Sequence, residues 1–251
     1  MLCAVQAATV LAAHPPRKRG RAGLAGIVVP AALLGAGVAI IRAVAGGPHA
    51  HALALAGAIA APLLAAAGPR RLPLAVALWL VAWLAHGLVA QGAGVALIAL
   101  AAMTVAQLVA RFAPDWSIVA GLVVVAAVDV VLVWGTRQVQ PASSVLHSAA
   151  LPQLAGRPIP PLQDATFGSA TMGWLDLVAP ALLGVVARKR LAAAAVTGLA
   201  AGAWGLLLVL TSTVPATVPV LPGLAFARAR RGRIRHPREP RGARDGARSA
   251  R

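Results

Sequence analysis

The sequence predicts an all-α polytopic membrane protein with about nine transmembrane helices. Composition, the recurrence of apolar runs and the placement of basic residues carry that expectation. Of 251 residues, 59% are hydrophobic and only 12% charged, with a mean hydropathy of +0.81. Soluble domains are about one quarter charged, so apolar surface on this scale has no water-facing shell to cover it. Apolar runs of about 18 or more residues recur along the chain, the length needed to cross a bilayer core as a helix. The net charge of +17 would suit nucleic acid, but ten of the 23 basic residues lie between Arg228 and Arg251, and most others lie in short links between apolar runs. That is how membrane proteins distribute Lys and Arg, and no aromatic residues interleave the Arg cluster, so a nucleic-acid partner is not expected. Arg far outnumbers Lys amid abundant Ala, Gly and Pro, a composition of GC-rich genomes, and the expected location is a prokaryotic plasma membrane. The single cysteine, Cys3, excludes an intrachain disulfide and a Cys-based metal site.

Taken in order, the expected spans begin with Met1–Ala13, the end of a first crossing that stops at the basic run Arg17-Lys18-Arg19-Gly20-Arg21. A signal peptide carries its basic residues before the apolar stretch, not after it. The spans Ala22–Ala45, Ala50–Ala67, Leu72–Ala90 and Ala93–Ala110 follow. Next comes Trp116–Trp134, bracketed by aromatics that favour the membrane interface, and then Ala170–Ala187, Leu191–Leu210 and Val214–Ala227. The long connection 137–168, rich in Pro, Ser and Gln, reads as a solvent-facing loop. The tail 228–251 has too few apolar residues to pack and reads as disordered. Residues 1–111 thus form an N-terminal set of helices and 112–227 a second region. Basic residues cluster on alternate connections (Arg17–Arg21, Arg70-Arg71, Arg111, Arg188-Lys189-Arg190 and the tail). The positive-inside rule puts these in the cytoplasm, with the N-terminus and the 137–168 loop outside. Anionic lipid headgroups are the expected partner of the tail.

Chemistry is concentrated in two of the six acidic residues. Glu239 and Asp245 lie in the basic tail, Asp164 in the loop and Asp115 at a span boundary. Asp129 and Asp176 instead lie inside apolar runs, Val-Val-Val-Ala-Ala-Val-Asp129-Val-Val-Leu-Val and Met-Gly-Trp-Leu-Asp176-Leu-Val-Ala-Pro. A carboxylate near mid-membrane costs about 3 kcal/mol on insertion scales, so such a residue faces a partner or a water-filled cavity. At 1.5 Å per residue, Asp129 sits roughly 8 Å before the outer end of its span and Asp176 roughly 9–13 Å beyond the start of the next. The two antiparallel spans therefore hold them at a similar depth, with no basic residue in either span to neutralise them. Two carboxyls close together in low dielectric share a proton. One can then take a proton from water while the other protonates a peptide carbonyl. The same pair would also serve a proton-coupled transporter, the alternative from a different functional class.

The flanking residues favour proteolysis. Val128-Asp129-Val-Val-Leu-Val-Trp134-Gly135-Thr136 resembles the Tyr-Asp segment of signal peptide peptidases. Met172-Gly173-Trp174-Leu175-Asp176-Leu177-Val178-Ala179-Pro180 resembles their Gly-x-Gly-Asp segment. Val214-Pro215-Ala216-Thr217, with Pro222 seven residues after Pro215, resembles their Pro-Ala-Leu segment. Order and spacing over Ala120–Gly223 are similar to the presenilin and signal peptide peptidase family of intramembrane aspartyl proteases. The departures are Val128 for Tyr, Leu175 for the Gly before the second Asp, and Thr217 for Leu. The resemblance implies a presenilin-like fold, a six-helix bundle plus a three-helix catalytic part, with residues 112–227 catalytic. It implies Asp129 and Asp176 as catalytic residues, Gly173, Leu175, Pro215, Ala216 and Thr217 at the substrate, transmembrane peptides as substrates, and no metal or cofactor. Pro215, Pro219 and Pro222 lack amide donors, so carbonyls near the outer end of the last span are expected to be open to an unwound substrate. A prepilin-type peptidase, which shares Gly-x-Gly-Asp, would carry a Lys shortly after the Asp, where this chain has Leu177-Val178-Ala179. His86 reads as a packed histidine, His49 and His51 lack further ligands for a metal, and Ser143, Ser144 and His147 lack an orienting acid.

Overall fold

The computed structural model of the chain describes residues 1–16, 49–67, 71–137, 151–209 and 213–229, together with 39, 42, 43, 144, 145 and 148. The expected span Ala22–Ala45, apart from 39, 42 and 43, and nearly all of the Arg-rich tail lie outside these residues. The described helices are α1 (Leu2–Ala12), α2 (Ala50–Ala65), α3 (Leu72–Leu84), α4 (Gly87–Phe112), α5 (Asp115–Val130), α6 (Trp174–Val186), α7 (Arg190–Gly205) and α8 (Val220–Ala229). A π-helical turn, Val131–Gly135, prolongs α5, and a 3₁₀ turn, Leu206–Val209, prolongs α7.

Two small antiparallel hairpins fold between α5 and α6. One pairs β1 (Gln153–Leu154) with β2 (Arg157–Pro158), and the other pairs β3 (Asp164–Phe167) with β4 (Ala170–Gly173). The tip of the second hairpin is tied to α4, because the Gly168 amide donates to Gln91 Oε1 at 2.8 Å.

The expectation of about nine transmembrane helices is corrected here. Among the described residues two helices are long and apolar enough to cross a membrane, Gly87–Phe112 and Asp115–Gly135. The other apolar helices are shorter, and small sheets accompany them. Local stop signals that an average of hydropathy does not register explain the difference. The expected Leu72–Ala90 span breaks at His86, which is extended, and at Gly87, which has φ +62°. A left-handed residue ends a helix, and glycine adopts it without steric cost. The first four residues of the expected Ala170–Ala187 span pair as β4 instead. The first six of Val214–Ala227 are non-helical, because Pro215 and Pro219 supply no amide to a helical ladder.

One hydrophobic core runs through both halves of the chain, joining all eight described helices. Its centre is α4, with Leu97, Ile98, Ala101, Ala102 and Ala106 fully buried. The short α1 packs between α6 and α7, burying Gln6, Thr9 and Val10. Gly184 makes the α1–α6 contact possible: a Cβ at this position would run into the Val10 carbonyl and lie 3.0 Å from Ala13 Cβ. Backbone cannot yield as a flexible side chain does, and overpacking costs about 1–3 kcal/mol. Gly184→Val is therefore expected to lower the thermal midpoint of the detergent-solubilised protein by several degrees, followed by circular dichroism. Gly202→Ala, in α7 where a Cβ meets nothing within 4 Å, is expected not to lower it, since alanine favours a helix more than glycine does.

Candidate active site

Asp129 stands one residue before the end of α5, where the helix loosens into the π turn. The amides of its own helix are committed to the helical ladder, so its carboxylate needs donors from elsewhere. Thr217 supplies two: its hydroxyl donates to Asp129 Oδ2 at 2.7 Å and its backbone amide to the same oxygen at 3.1 Å. The Ala216 amide faces this carboxylate as well. These amides are available because residues 213–219 are not helical, and that follows from the prolines at 215 and 219.

Asp176 is the third residue of α6. Its Oδ2 accepts the Gly173 amide at 2.9 Å, so the side chain folds back over the start of its own helix. Hydrogen bonds from backbone amides to a carboxylate are among the stronger kinds in proteins. The approach is close: a Cβ on Gly173 would stand 3.1 Å from that oxygen, which accounts for a glycine here. Pro180, four residues on, offers no amide to the Asp176 carbonyl.

Asp129 and Asp164 both lie close enough to Asp176 to interact with it electrostatically. Asp129 and Asp176 come from two helices, α5 and α6, that pack on each other. The third, Asp164, sits opposite Gly173 in the β3–β4 register. Asp164 falls in the connection expected to be a solvent-facing loop, and only the hairpin pairing brings it near Asp176.

The structure thus brings together Asp129, Asp176, Gly173, Ala216 and Thr217. Pro215 and Ala216 behave differently from the expectation of open carbonyls. The Pro215 carbonyl accepts Trp204 Nε1 at 2.8 Å, and the Ala216 carbonyl accepts Gln6 Nε2 at 3.2 Å. Both are occupied within the chain, and Thr217 is turned to Asp129. The side chain of Leu175 lies outside the described residues.

Two residues that sequence reasoning passed over hold this arrangement. Trp204 packs its ring on Trp134, with centroids 5.8 Å apart, while its indole N–H holds Pro215. It therefore bridges the segment after Asp129 and the segment before Thr217. Gln6 of α1 is 1% exposed, and its amide nitrogen reaches both the Ala216 carbonyl and Met172 Sδ, at 3.6 Å. A glutamine in an apolar N-terminal run was the available signal, because a buried amide requires partners.

Among the described residues no group of three or more His, Cys, Asp or Glu is gathered in a way that would hold a metal ion. No protein-family model, characterised protein or solved structure matches the chain.

Gln6 Oε1 is buried with no hydrogen-bond partner among the described residues. An unsatisfied buried polar atom costs about 1–3 kcal/mol. Gln6→Met removes that cost and, with it, the donor to Ala216. Stability is therefore expected to change by less than about 1 kcal/mol, since the two effects oppose each other. The 214–217 segment, however, loses its tie to α1. Hydrogen-exchange mass spectrometry is expected to show faster exchange in peptides covering Thr217, with α4 peptides unchanged.

Proposed function

We propose that the chain is an intramembrane aspartyl endopeptidase that cleaves transmembrane helices or remnant signal peptides, with Asp129 and Asp176 as the catalytic pair. The observation that carries this reading is the convergence of three separate segments on two carboxylates. Asp129 from α5, Gly173–Asp176 from the β4–α6 junction and Ala216–Thr217 from the unwound stretch before α8 meet in one place. These are the segments whose residues resemble the signal peptide peptidase family.

Hydrolysis of a peptide bond needs a base for the attacking water and an acid for the carbonyl oxygen and then the amine. Two carboxyls sharing a proton supply both. In the first step one carboxylate takes a proton from water as the new C–O bond forms, and the other carboxyl gives its proton to the carbonyl oxygen. In the second step the C–N bond breaks, the amine takes a proton from one carboxyl, and a hydroxyl of the tetrahedral diol gives its proton to the other carboxylate as the carbonyl re-forms, which restores the shared-proton state. No net proton or electron is consumed. Thr217 and Gly173 orient the two carboxylates, a positioning role on which attack geometry depends.

A membrane location is proposed with this function. The α4 and α5 helices are long and apolar enough to cross, and α5 leaves Val123, Val124, Val131 and Trp134 exposed. Arg111, in the last turn of α4, marks the cytoplasmic side and Arg137 the outer side. This orientation puts the N-terminus and the hairpins outside, in a prokaryotic plasma membrane; a cytoplasmic C-terminal tail, as the positive-inside rule has it, needs one more crossing between the hairpins and the tail. The basic tail would then meet anionic lipid headgroups.

Cleavage of a synthetic single-span peptide by purified protein in detergent is the direct test. Asp129→Asn and Asp176→Asn are each expected to lower kcat by about a thousandfold or more, the scale of a lost acid–base group. Full activity in either variant, or Asp-dependent proton flux in proteoliposomes without proteolysis, would overturn the reading. Thr217→Val keeps the shape and the amide but removes the hydroxyl donor. A hydrogen bond to a charged group is worth about 1.5–3 kcal/mol, so kcat is expected to fall about 10- to 100-fold with little change in KM.

A further inference from the structure

A third carboxylate stands on the β3–β4 hairpin. Asp164 pairs directly with Gly173 across the strands. Directly opposed residues of an antiparallel pair project from one face, with Cβ positions about 5 Å apart. Gly173 has no side chain, but a Cβ there would stand 3.1 Å from Asp176 Oδ2. Asp164 therefore leaves the hairpin on the face that Asp176 occupies, its Cβ within roughly 9 Å of that oxygen. With glycine opposite it, this residue pair puts no second side chain between the two acids. Electrostatics agree: among the described residues, Asp129 and Asp164 are the charged groups that interact with Asp176. Alternate residues of a strand share a face, so Thr166 lies on the same side as Asp164. Together they wall a cleft of about 90 Å³ whose other side is the start of α4, with Gln91 and Gly94. Such a volume holds several waters, and a water needs about two to four polar partners, which Gln91, Asp164 and Thr166 supply. The walls are fixed, because β3 packs on α4 and the Gly168 amide at the hairpin tip holds Gln91 Oε1 at 2.8 Å. Asp164 itself is half-buried. Its Oδ2 is closed to solvent, so this oxygen faces inward while the residue lines the cleft.

We propose that Asp164 is a further positioning residue of the site: at the boundary between this cleft and the Asp129–Asp176 pair, it holds the hydrolytic water on its way inward. The inference rests on the protease reading. Every turnover consumes a water, and the apolar residues around Asp129 and Asp176 offer it no hydrogen bond. A carboxylate is an acceptor only, so it binds water through the hydrogens and leaves the lone pairs of the water oxygen free to attack a carbonyl. The water passes on intact and gives up its proton only at the pair. Asp164 therefore neither gains nor loses a proton over the cycle, and the balance of the hydrolysis is unchanged.

Cleavage kinetics of the single-span peptide, followed as a function of pH, test this role. Asp164→Asn is isosteric and uncharged. It is expected to lower kcat about tenfold, the scale of a hydrogen bond to a charged group, with KM unchanged because water and not the peptide loses its place. It is also expected to move the alkaline limb of kcat/KM down by about one pH unit, since a negative charge roughly 9 Å away opposes loss of the shared proton. Asp164→Glu keeps the charge and is expected to restore the limb and most of kcat. Ala90→Leu, which narrows the cleft from α4 without altering a charge, is expected to lower kcat severalfold with the pH profile unmoved. Wild-type kcat in Asp164→Asn, or a lower kcat with the wild-type pH profile, would overturn the proposal; a merely structural role leaves the limb where it is. Unchanged kcat in Ala90→Leu would overturn it as well, so Asp164 variants that fail to fold do not shield it. Absence of cleavage by wild-type protein would instead sink the protease reading, and this role with it.

Discussion

A carboxylate near the end of an apolar helix must find hydrogen-bond donors that the helix cannot give it, and much of this structure follows from how Asp129 finds them. The donors come from a segment that was prevented from becoming helix. Prolines at 215 and 219 leave residues 213–219 outside any ladder, and the amides of Ala216 and Thr217 are free to turn to the carboxylate. Breaking a helix creates a second problem, since the carbonyls of the broken stretch also lose their partners, and a buried unpaired carbonyl costs about as much as the hydrogen bond gained. Trp204 and Gln6 resolve it by donating to the Pro215 and Ala216 carbonyls. The loop is therefore held on one side by its amides and on the other by its carbonyls.

This arrangement gives α1 a place that its length would not suggest. At eleven residues it is too short to cross a bilayer, yet it packs against α6 and α7 and sends Gln6 to both Met172 and Ala216. Those two residues flank the segments that hold Asp176 and Asp129. The close approach of α1 to α6 depends on Gly184, where backbone meets backbone almost directly. A region that resembles no motif thus takes part in the geometry of the motifs. Division of the chain at residue 111 follows the sequence signals but does not follow the core, which is continuous across it.

What could be read from the sequence divides along a physical line. Asp129 and Asp176 stood out because a charge in an apolar run is improbable without a purpose, and Thr217 only as the last residue of Pro215-Ala216-Thr217, a segment that resembles a known motif. Such signals are local. Trp204, Gln6 and Asp164 gave no comparable local signal: an indole at a helix end, an amide in a short apolar run and an acid in a loop are ordinary until the fold shows what they touch. The span count failed for a related reason. Averaged hydropathy measures how apolar a window is, while helix length is set by single residues such as His86-Gly87, the Gly168 turn and Pro215, which an average dilutes.

The distribution of side-chain size bears on the solvent independently of helix length. In a water-soluble protein large apolar side chains go inside, because removing them from water is the main driving force. Here the buried set is rich in alanine, with Ala54, Ala58, Ala61 and Ala65 along one face of α2 and Ala101, Ala102, Ala106 and Ala110 along α4. Large residues such as Leu97, Ile98, Leu177 and Leu183 are also buried, but others face outward: Leu63, Leu191, Leu199 and Leu206 are each at least two-thirds exposed. In lipid the outward Leu loses nothing, and the favourable term becomes close helix–helix contact, which small residues permit. The short helices fit the same logic. The 213–219 stretch and the β3–β4 hairpin, which stand where longer helices were expected, have polar backbone groups met by side chains and by strand pairing. Irregular backbone at membrane depth is tolerated only where protein or a water-lined site satisfies it. The features that shortened the helices are thus the features that bring Asp129, Asp176 and their donors to one place.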